Sequence, residues 1–273
     1  MSASIKSRRY VGLFCLISIP SLITLFSGIF PCTTTSIQLT RKMHTRQQFL
    51  AVFIQMAIAQ VLGLDPYSGQ VFRGQATTDG APWERGNCLF FFWPQPKGIN
   101  PIAINSNMWD SSRMCGACIA ITNEFGTHLA VVTDQSTVGP TDLDLGKDSW
   151  DEVSNHHISS GIPISWKMVP CNFTTPIQFT NQKGAHPFWT AIQVANSNLP
   201  IKSLEALPLD NKSRGWVKLK RNSASNHFGT KCKPIGRSAD LRVTCMNGKQ
   251  FITKNVNLVY SEGQPPTMAT GNC

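Results

Sequence analysis

The sequence lacks the two repeat patterns that would make it fibrous. Its 20 glycines show no three-residue period, which excludes a collagen-type helix, and Ala, Glu, Lys and Leu do not dominate at heptad spacing, which excludes a long coiled coil. Charged residues are scarce, at 15% of 273 residues, whereas hydrophobic residues make up 41%. Wholesale disorder is therefore excluded, and the length suits two modest domains with real hydrophobic cores.

Acidic residues are absent from the first 59 positions, which contain six Lys and Arg residues. The apolar stretch over 49–59 follows Arg46 and ends in small-x-small, which is the layout of a cleavable secretory signal. The sequence therefore predicts a targeting region, with an upstream extension over 1–42 and a signal peptide over 43–59. We expect cleavage after Ala59 and a secreted protein of the extracellular space or cell wall.

A second apolar run, over 10–30, leaves one alternative open. It is about long enough to cross a bilayer, and it follows the basic pair Arg8 and Arg9. It would then be an uncleaved anchor with its positive charges inside, and the protein would be membrane-associated only in that case.

The formal net charge of +10 is unevenly distributed. Residues 60–171 carry six basic and eleven acidic side chains, whereas residues 172–273 carry thirteen basic and four acidic ones. Because much of the positive charge lies before residue 60, the overall charge does not indicate a nucleic-acid partner. The pattern indicates an acidic module joined to a basic one.

The cysteines lack the second ligand pair that a zinc site needs, although Cys115 and Cys118 have CxxC spacing. In a secreted chain they are better explained as disulfides, and the seven cysteines beyond residue 60 allow three bridges and one free thiol. Two sequons make Asn172 and Asn211 glycosylation candidates. We expect no metal site and no cofactor.

Short β-rich runs separated by Gly, Pro and Asn dominate residues 60–171. They predict a compact β-barrel, interrupted by one helix over 149–153 with Asp148 as its N-cap. From Pro176 onward the chain reads as strand after strand, a pattern typical of a β-sandwich. The domain boundary is expected near 171–176.

Seven motifs then follow one another in order along residues 70–258. They are Gly74-Gln-Ala-Thr77, Gly86-Asn-Cys88, Cys115-Gly-Ala-Cys118, Val132-Thr-Asp134, Leu143-Asp-Leu145, Ile164-Ser-Trp-Lys-Met-Val-Pro-Cys171 and Trp189-Thr-Ala-Ile-Gln-Val194. This ordered set resembles the expansins, and among them the microbial expansin-like proteins. The resemblance implies an all-β chain.

In that family a six-stranded double-psi β-barrel, related to family 45 endoglucanases, precedes an immunoglobulin-like β-sandwich that binds polysaccharide. Here the barrel would cover 60–171 and the sandwich 172–262, with 263–273 as a C-terminal tail. The resemblance also implies disulfides Cys88–Cys115 and Cys118–Cys171. Cys232–Cys245 is the pair inferred from the remainder, with Cys273 unpaired.

Three groove residues are implied on the floor of the barrel: Thr77, Asp134 and Asp144. Asp144 matches the key aspartate of the family, which is the general acid in the related endoglucanases. Inverting hydrolysis requires a second carboxylate to activate water. With the acid alone, the groove would bind and strain a glucan, so the resemblance implies loosening of plant-type cell walls without appreciable hydrolysis.

Phe188 and Trp189 match the paired aromatic platform on which sugar rings stack, while Ser225 replaces a third aromatic of that platform. The expected partners are cellulose and matrix glucans, and the basic second domain adds attraction to acidic pectin. We predict no stable protein partner and no nucleic-acid partner.

Two departures from the family pattern keep other functions open. Microbial relatives have a tyrosine where this chain has Ser136, and Thr78 and Asp79 replace an aromatic residue after Thr77. Asp79 lies near the position of the endoglucanase base, so a weak endoglucanase is one alternative. A non-catalytic carbohydrate-binding wall protein is the other.

Overall fold

The computed structural model describes residues 66–80, 82–230 and 233–273. The predicted targeting region, with its signal peptide and its anchor alternative, lies outside the described residues, as does Cys232. In the described part of the chain, no helix is long and apolar enough to cross a membrane.

The first half of the described chain forms a closed six-stranded β-barrel with strand order β1-β5-β2-β4-β3-β6. Its elements are β1 (Phe72–Thr77), β2 (Asn100–Asn105), β3 (Cys118–Asn123), β4 (Gly126–Ser136), β5 (Leu143–Leu145), helix α1 (Lys147–Val153) and β6 (Ile162–Val169). The pairs β1–β5 and β2–β4 are parallel, and the remaining pairs are antiparallel.

Alternation of large apolar and other residues along β6 explains how the barrel closes on its core. Ile162, Ile164 and Trp166 are buried, whereas Pro163 and Lys167 between and after them are exposed. The Trp166 ring stacks on Phe72 of the paired strand β1 with 4.4 Å between ring centroids, which packs these two strands together in the core. The predicted last barrel strand is confirmed.

The second half forms an eight-stranded antiparallel sheet with order β13-β12-β9-β10-β11-β8-β7-β14. The strands are β7 (Gln178–Asn181), β8 (Ala191–Ala195), β9 (Ile201–Pro208), β10 (Val217–Arg221), β11 (His227–Gly229), β12 (Ser238–Cys245), β13 (Gln250–Asn257) and β14 (Thr267–Met268). This sheet encloses a second apolar core, which includes Phe179, Ile192, Leu204, Phe228 and Leu241. The predicted fold class is confirmed.

The predicted helix cap is wrong. Helix α1 begins at Lys147, its N-cap is Gly146, and no side chain caps it. Asp148 instead lies in the first turn, where its negative charge still favours the positive end of the helix dipole.

Two predicted disulfides are confirmed and one is wrong. Cys88–Cys115 and Cys118–Cys171 are present, but Cys245 bonds to Cys273 and not to Cys232. Cys273 is therefore not the free thiol that the sequence predicted.

The reason is that the segment over 263–273 is held against the second domain, with Thr267–Met268 as the last strand of the sheet. β14 pairs with β7, and the Ala269 amide donates to the Ile177 carbonyl at 2.7 Å. Lys249 Nζ donates to the Asn272 carbonyl at 2.8 Å, which holds the C-terminus beside the turn after Cys245.

Polar contacts join the barrel to the second domain within one compact unit. Gln193 Nε2 donates to the carbonyls of Cys88 and Leu89 at 2.8 and 3.0 Å, and Trp109 Nε1 donates to the Ser223 carbonyl at 2.7 Å. Arg221 adds a bond to the Ser112 carbonyl at 3.1 Å, and burial lowers the pKa of this guanidinium to about 10.

Candidate functional site

One register row carries all three predicted groove residues across four neighbouring barrel strands. Thr77 of β1 lies opposite Asp144 of β5, Asp144 lies opposite Ala103 of β2, and Ala103 lies opposite Asp134 of β4. Residues directly opposite each other point to the same face of a sheet. We call this set the polar row; its flanking residues Ala76, Leu143, Ile102 and Val132 point into the barrel core.

Asp144 is the most constrained member of the polar row. Its side chain is buried, and its Oδ1 accepts hydrogen bonds from Thr77 Oγ1 at 2.8 Å and from the Asp79 amide at 2.9 Å. Its Oδ2 accepts from Ser136 Oγ at 3.1 Å. A carboxylate has about four acceptor positions, so one position, on Oδ2, remains for a ligand.

Gly80 explains how the segment after Thr77 reaches Asp144. The Gly80 amide donates to the Leu145 carbonyl at 3.0 Å, and a Cβ at residue 80 would lie 2.6 Å from the Leu145 carbonyl carbon. Only glycine permits this close approach. The segment is thereby fixed along β5, with the Asp79 amide on Asp144 and Asp79 itself exposed.

Asp134 has a different role from Asp144. Its Oδ1 accepts from the Asn87 amide and from the Gln135 amide, each at 2.8 Å. The adjacent Cys88 amide donates to the Thr133 carbonyl at 2.9 Å. Asp134 therefore anchors the 86–88 loop to β4 and is separated from Asp144 by two strand spacings, roughly 10 Å between backbones.

Ser136 contacts Asp144, whereas the sequence analysis noted this position only because microbial relatives have a tyrosine there. Its hydroxyl holds Oδ2 of Asp144, so the departure from the family pattern replaces an aromatic ring with a hydrogen-bond donor. The two-residue alternation along β4 is the signal that could have revealed it, because residues 134 and 136 share a face.

Phe188 and Trp189 form a short exposed aromatic platform in the second domain. The Phe188 side chain is 77% exposed and Trp189 is 41% exposed. A tight turn presents them: the His186 amide donates to the Trp189 carbonyl at 3.1 Å, and the Trp189 amide donates to the His186 carbonyl at 2.8 Å. Two neighbouring exposed rings form a contiguous apolar patch, and larger patches of this kind mark ligand-binding surfaces.

The remaining predicted positions lie elsewhere on the surface. Ser225, at the implied third aromatic position, is buried and presents no ring. Asn172 and Asn211 are both exposed, as a glycosylation acceptor must be. Trp216, which the sequence analysis left out of the binding site, is only partly buried, and Arg242 lies over its ring at 4.4 Å. Among the described residues there is no cluster of three metal-ligating side chains.

No known protein-family model matches the chain. Two curated proteins resemble it in sequence. Expansin-YoaJ of Bacillus subtilis is 23% identical over 212 residues, covering 74% of this chain and 88% of that protein. Expansin-like protein 3 of Dictyostelium discoideum is 22% identical over 182 residues, covering 61% of this chain and 53% of that protein.

Solved structures of the Clavibacter michiganensis expansin resemble it in fold. The apo structure has a TM-score of 0.63 at 20% identity and covers 74% of this chain and 98% of its own. An Asp-to-Asn variant in complex with cellohexaose has a TM-score of 0.62 at 19% identity, with the same coverage. The sequence relatives and the fold neighbours therefore agree with the ordered motifs in their similarity to microbial expansins.

Proposed function

We propose that this protein is a secreted expansin-like protein that binds cellulose and matrix glucans and loosens plant-type cell walls without hydrolysing them. The observation that carries the proposal is the polar row, in which Asp144 is fixed by three donors and keeps one acceptor position. The cellohexaose complex of the Clavibacter expansin supports a β-1,4-glucan as the ligand class. The three disulfides support an extracellular location.

The placement of the two groove carboxylates supports a non-hydrolytic mechanism. Inverting hydrolysis requires a carboxylate that activates water across the sugar from the acid. Asp134 Oδ1 accepts from the Asn87 and Gln135 amides, and Asp134 lies in the same register row as Asp144 on the groove floor, so we assign it the role of a loop anchor. Asp144 would then accept a hydrogen bond from a sugar hydroxyl and compete with the bonds that hold one glucan to another.

The aromatic platform supplies adhesion. Sugar rings bury their apolar faces on Phe188 and Trp189, and this burial removes exposed aromatic surface from water. Binding at the platform would keep the groove in contact with the wall while individual glucan contacts at Asp144 exchange.

Three measurements on the purified secreted protein test the proposal. We expect creep of a clamped wall strip, retention on insoluble cellulose, and no accumulation of reducing ends. Cellulose retention without creep would instead identify a non-catalytic wall-binding protein. A lack of both binding and creep would refute the proposal.

Asp79 favours weak endoglucanase activity as a second candidate. Its amide is bonded to Asp144 and its side chain is exposed, so a second carboxylate lies near the implied acid although 65 residues separate the two in sequence. Incubation with amorphous cellulose tests this function by release of reducing ends. Release that disappears in Asp79→Asn, with cellulose binding retained, would establish the hydrolase and overturn the non-lytic proposal.

The basic second domain supports acidic pectin as an additional partner. Residues 172–273 carry thirteen basic and four acidic side chains, so the domain attracts polyanions through solvent-exposed charge. Such attraction is screened within about 10 Å at 0.1 M salt. We expect pectin binding to decline steeply between low and physiological ionic strength, whereas cellulose binding through the platform should change little.

A further inference from the structure

A trough lies beside the aromatic platform on the outer face of the second domain. It follows one register row, in which Gln182 of the β7–β8 turn, Ala191 of β8, Gly229 of β11 and Lys220 of β10 lie opposite one another. The neighbouring row, which contains Ile192 and Phe228, points into the core, so the trough row points outward. The cavity has a volume of about 430 Å³.

Small residues make the floor of the trough. Ala191 and Gly229 occupy its two central positions, so the floor lies close to the level of the backbone. A Cβ at Gly229 would collide with the Thr190 carbonyl oxygen, and this excludes a side chain there. The depression is therefore required by the strand packing and is not a gap between flexible side chains.

Polar groups surround that floor. Lys220 is exposed at one end, and among the described residues it forms no ion pair. Ser111 contributes from the barrel, on a turn whose residues Asp110, Ser111 and Ser112 all have positive φ angles. Such left-handed non-glycine residues are strained and often mark functional positions.

Two buried polar atoms in trough-lining residues lack a hydrogen-bond partner in the described part of the chain. They are Thr190 Oγ1 and His227 Nδ1, on side chains that are only 2% and 7% exposed. An unpaired buried polar atom costs about 1–3 kcal/mol. These two atoms lie beneath the surface, so they add to the polar surroundings of the trough without contacting a ligand directly.

Trp189 lines both the platform and the trough, so the two surfaces are continuous. A glucan stacked on Trp189 would place its ring edges, where substituents are attached, above the trough. A flat cellulose face presents no group that would fill the trough, whereas a branched glucan presents a side sugar that would. The volume lies in the range of roughly 300–1,000 Å³ that is usual for small-molecule sites.

From this continuity we propose that the trough is a subsite for a side sugar on a β-linked glucan, so that the second domain prefers branched wall glucan to linear chains. The inference rests on the proposed function, because the main chain must be held by Phe188 and Trp189. It adds a specificity that the platform alone lacks.

Calorimetric titration with two oligosaccharides of the same backbone tests the inference. The probes are cellotetraose and a xyloglucan heptasaccharide, which carries three xylosyl side sugars on the same backbone of four glucoses. We expect the branched probe to bind at least about tenfold more tightly. Ala191→Leu should fill the floor and reduce that ratio to near one, while cellotetraose binding, which also reports correct folding, stays unchanged.

Lys220→Gln and Lys218→Gln form a matched pair that removes one charge from the same exposed strand face. Only Lys220 lines the trough. We expect a several-fold loss of affinity for the branched probe in Lys220→Gln and none in Lys218→Gln. Equal binding of both probes by the unaltered protein, or a preference that survives Ala191→Leu, would overturn the subsite and leave the proposed function standing. Failure to bind either probe would overturn both.

Discussion

The barrel groove and the aromatic platform differ in burial: the groove holds a buried polar group in place, whereas the platform exposes apolar rings. In the groove, the key carboxylate is buried and held by three donors, so its position is fixed before any ligand arrives. On the platform, Phe188 and Trp189 expose apolar rings and gain stability only when a ligand covers them. Under the proposed function, orientation and adhesion are therefore assigned to different domains of the chain.

Removing the groove carboxylate should have the largest effect, and it tests whether the groove and the platform have separate roles. Asp144→Ala should reduce wall-strip creep by at least tenfold while cellulose retention stays within about twofold, because the platform is untouched. Asp144→Asn is the matched control: it retains shape and one acceptor oxygen, and it should recover only part of the creep. Creep that survives Asp144→Ala would show that the groove is not the site of loosening.

The next prediction concerns the free energy of unfolding of the second domain. Cys273→Ser opens a disulfide whose cysteines are 28 residues apart, and it should lower the free energy of unfolding of the second domain by about 3–4 kcal/mol. Denaturant unfolding followed by tryptophan fluorescence measures the effect. Cys232→Ser is the control, since Cys245 bonds to Cys273. An equal loss in Cys232→Ser would restore the pairing that the sequence predicted.

Removal of the platform should weaken adhesion without altering the groove. We expect Trp189→Ala to reduce affinity for cello-oligosaccharides about tenfold, or ~1.4 kcal/mol, through lost ring stacking. Trp216→Ala removes an aromatic ring of the same type that lies outside the platform, and it should leave affinity unchanged. If Trp216→Ala lowered affinity as much as Trp189→Ala, adhesion would not be localised at the platform.

The smallest expected effect concerns acid stability at a buried histidine of the second domain. Burial lowers the pKa of His227 below its ordinary value of 6.5. At and below that value the unfolded chain binds more protons than the folded one, so the contribution is present above pH 6.5 and is lost as pH falls. We expect unfolding free energy to decrease from pH 7 to 5, less steeply in His227→Gln than in the exposed-site control His157→Gln. Identical slopes would exclude His227 as the cause.

Local patterns predicted much of this architecture. Alternation over 162–169 and the β-rich runs before and after the 123–126 turn identified β6, β3 and β4, because a half-buried strand requires a two-residue period. β5 was not assigned as a strand: it has only three residues and all are buried, so it shows no alternation. Yet β5 carries Asp144, and its pairing with β1 and β2 creates the polar row.

By itself, the sequence determined the β-rich character and the two apolar cores, because composition and periodicity are properties of the chain alone, and its ordered motifs supplied the family resemblance that implied the groove and platform residues. Tertiary structure decided which of those residues act together. Strand register brought Ser136 to Asp144, packing of residues 263–273 selected the partner of Cys245, and the alignment of Ala191 with Gly229 produced the trough. Each depends on contacts between distant segments, whose geometry exists only once the sheets have paired.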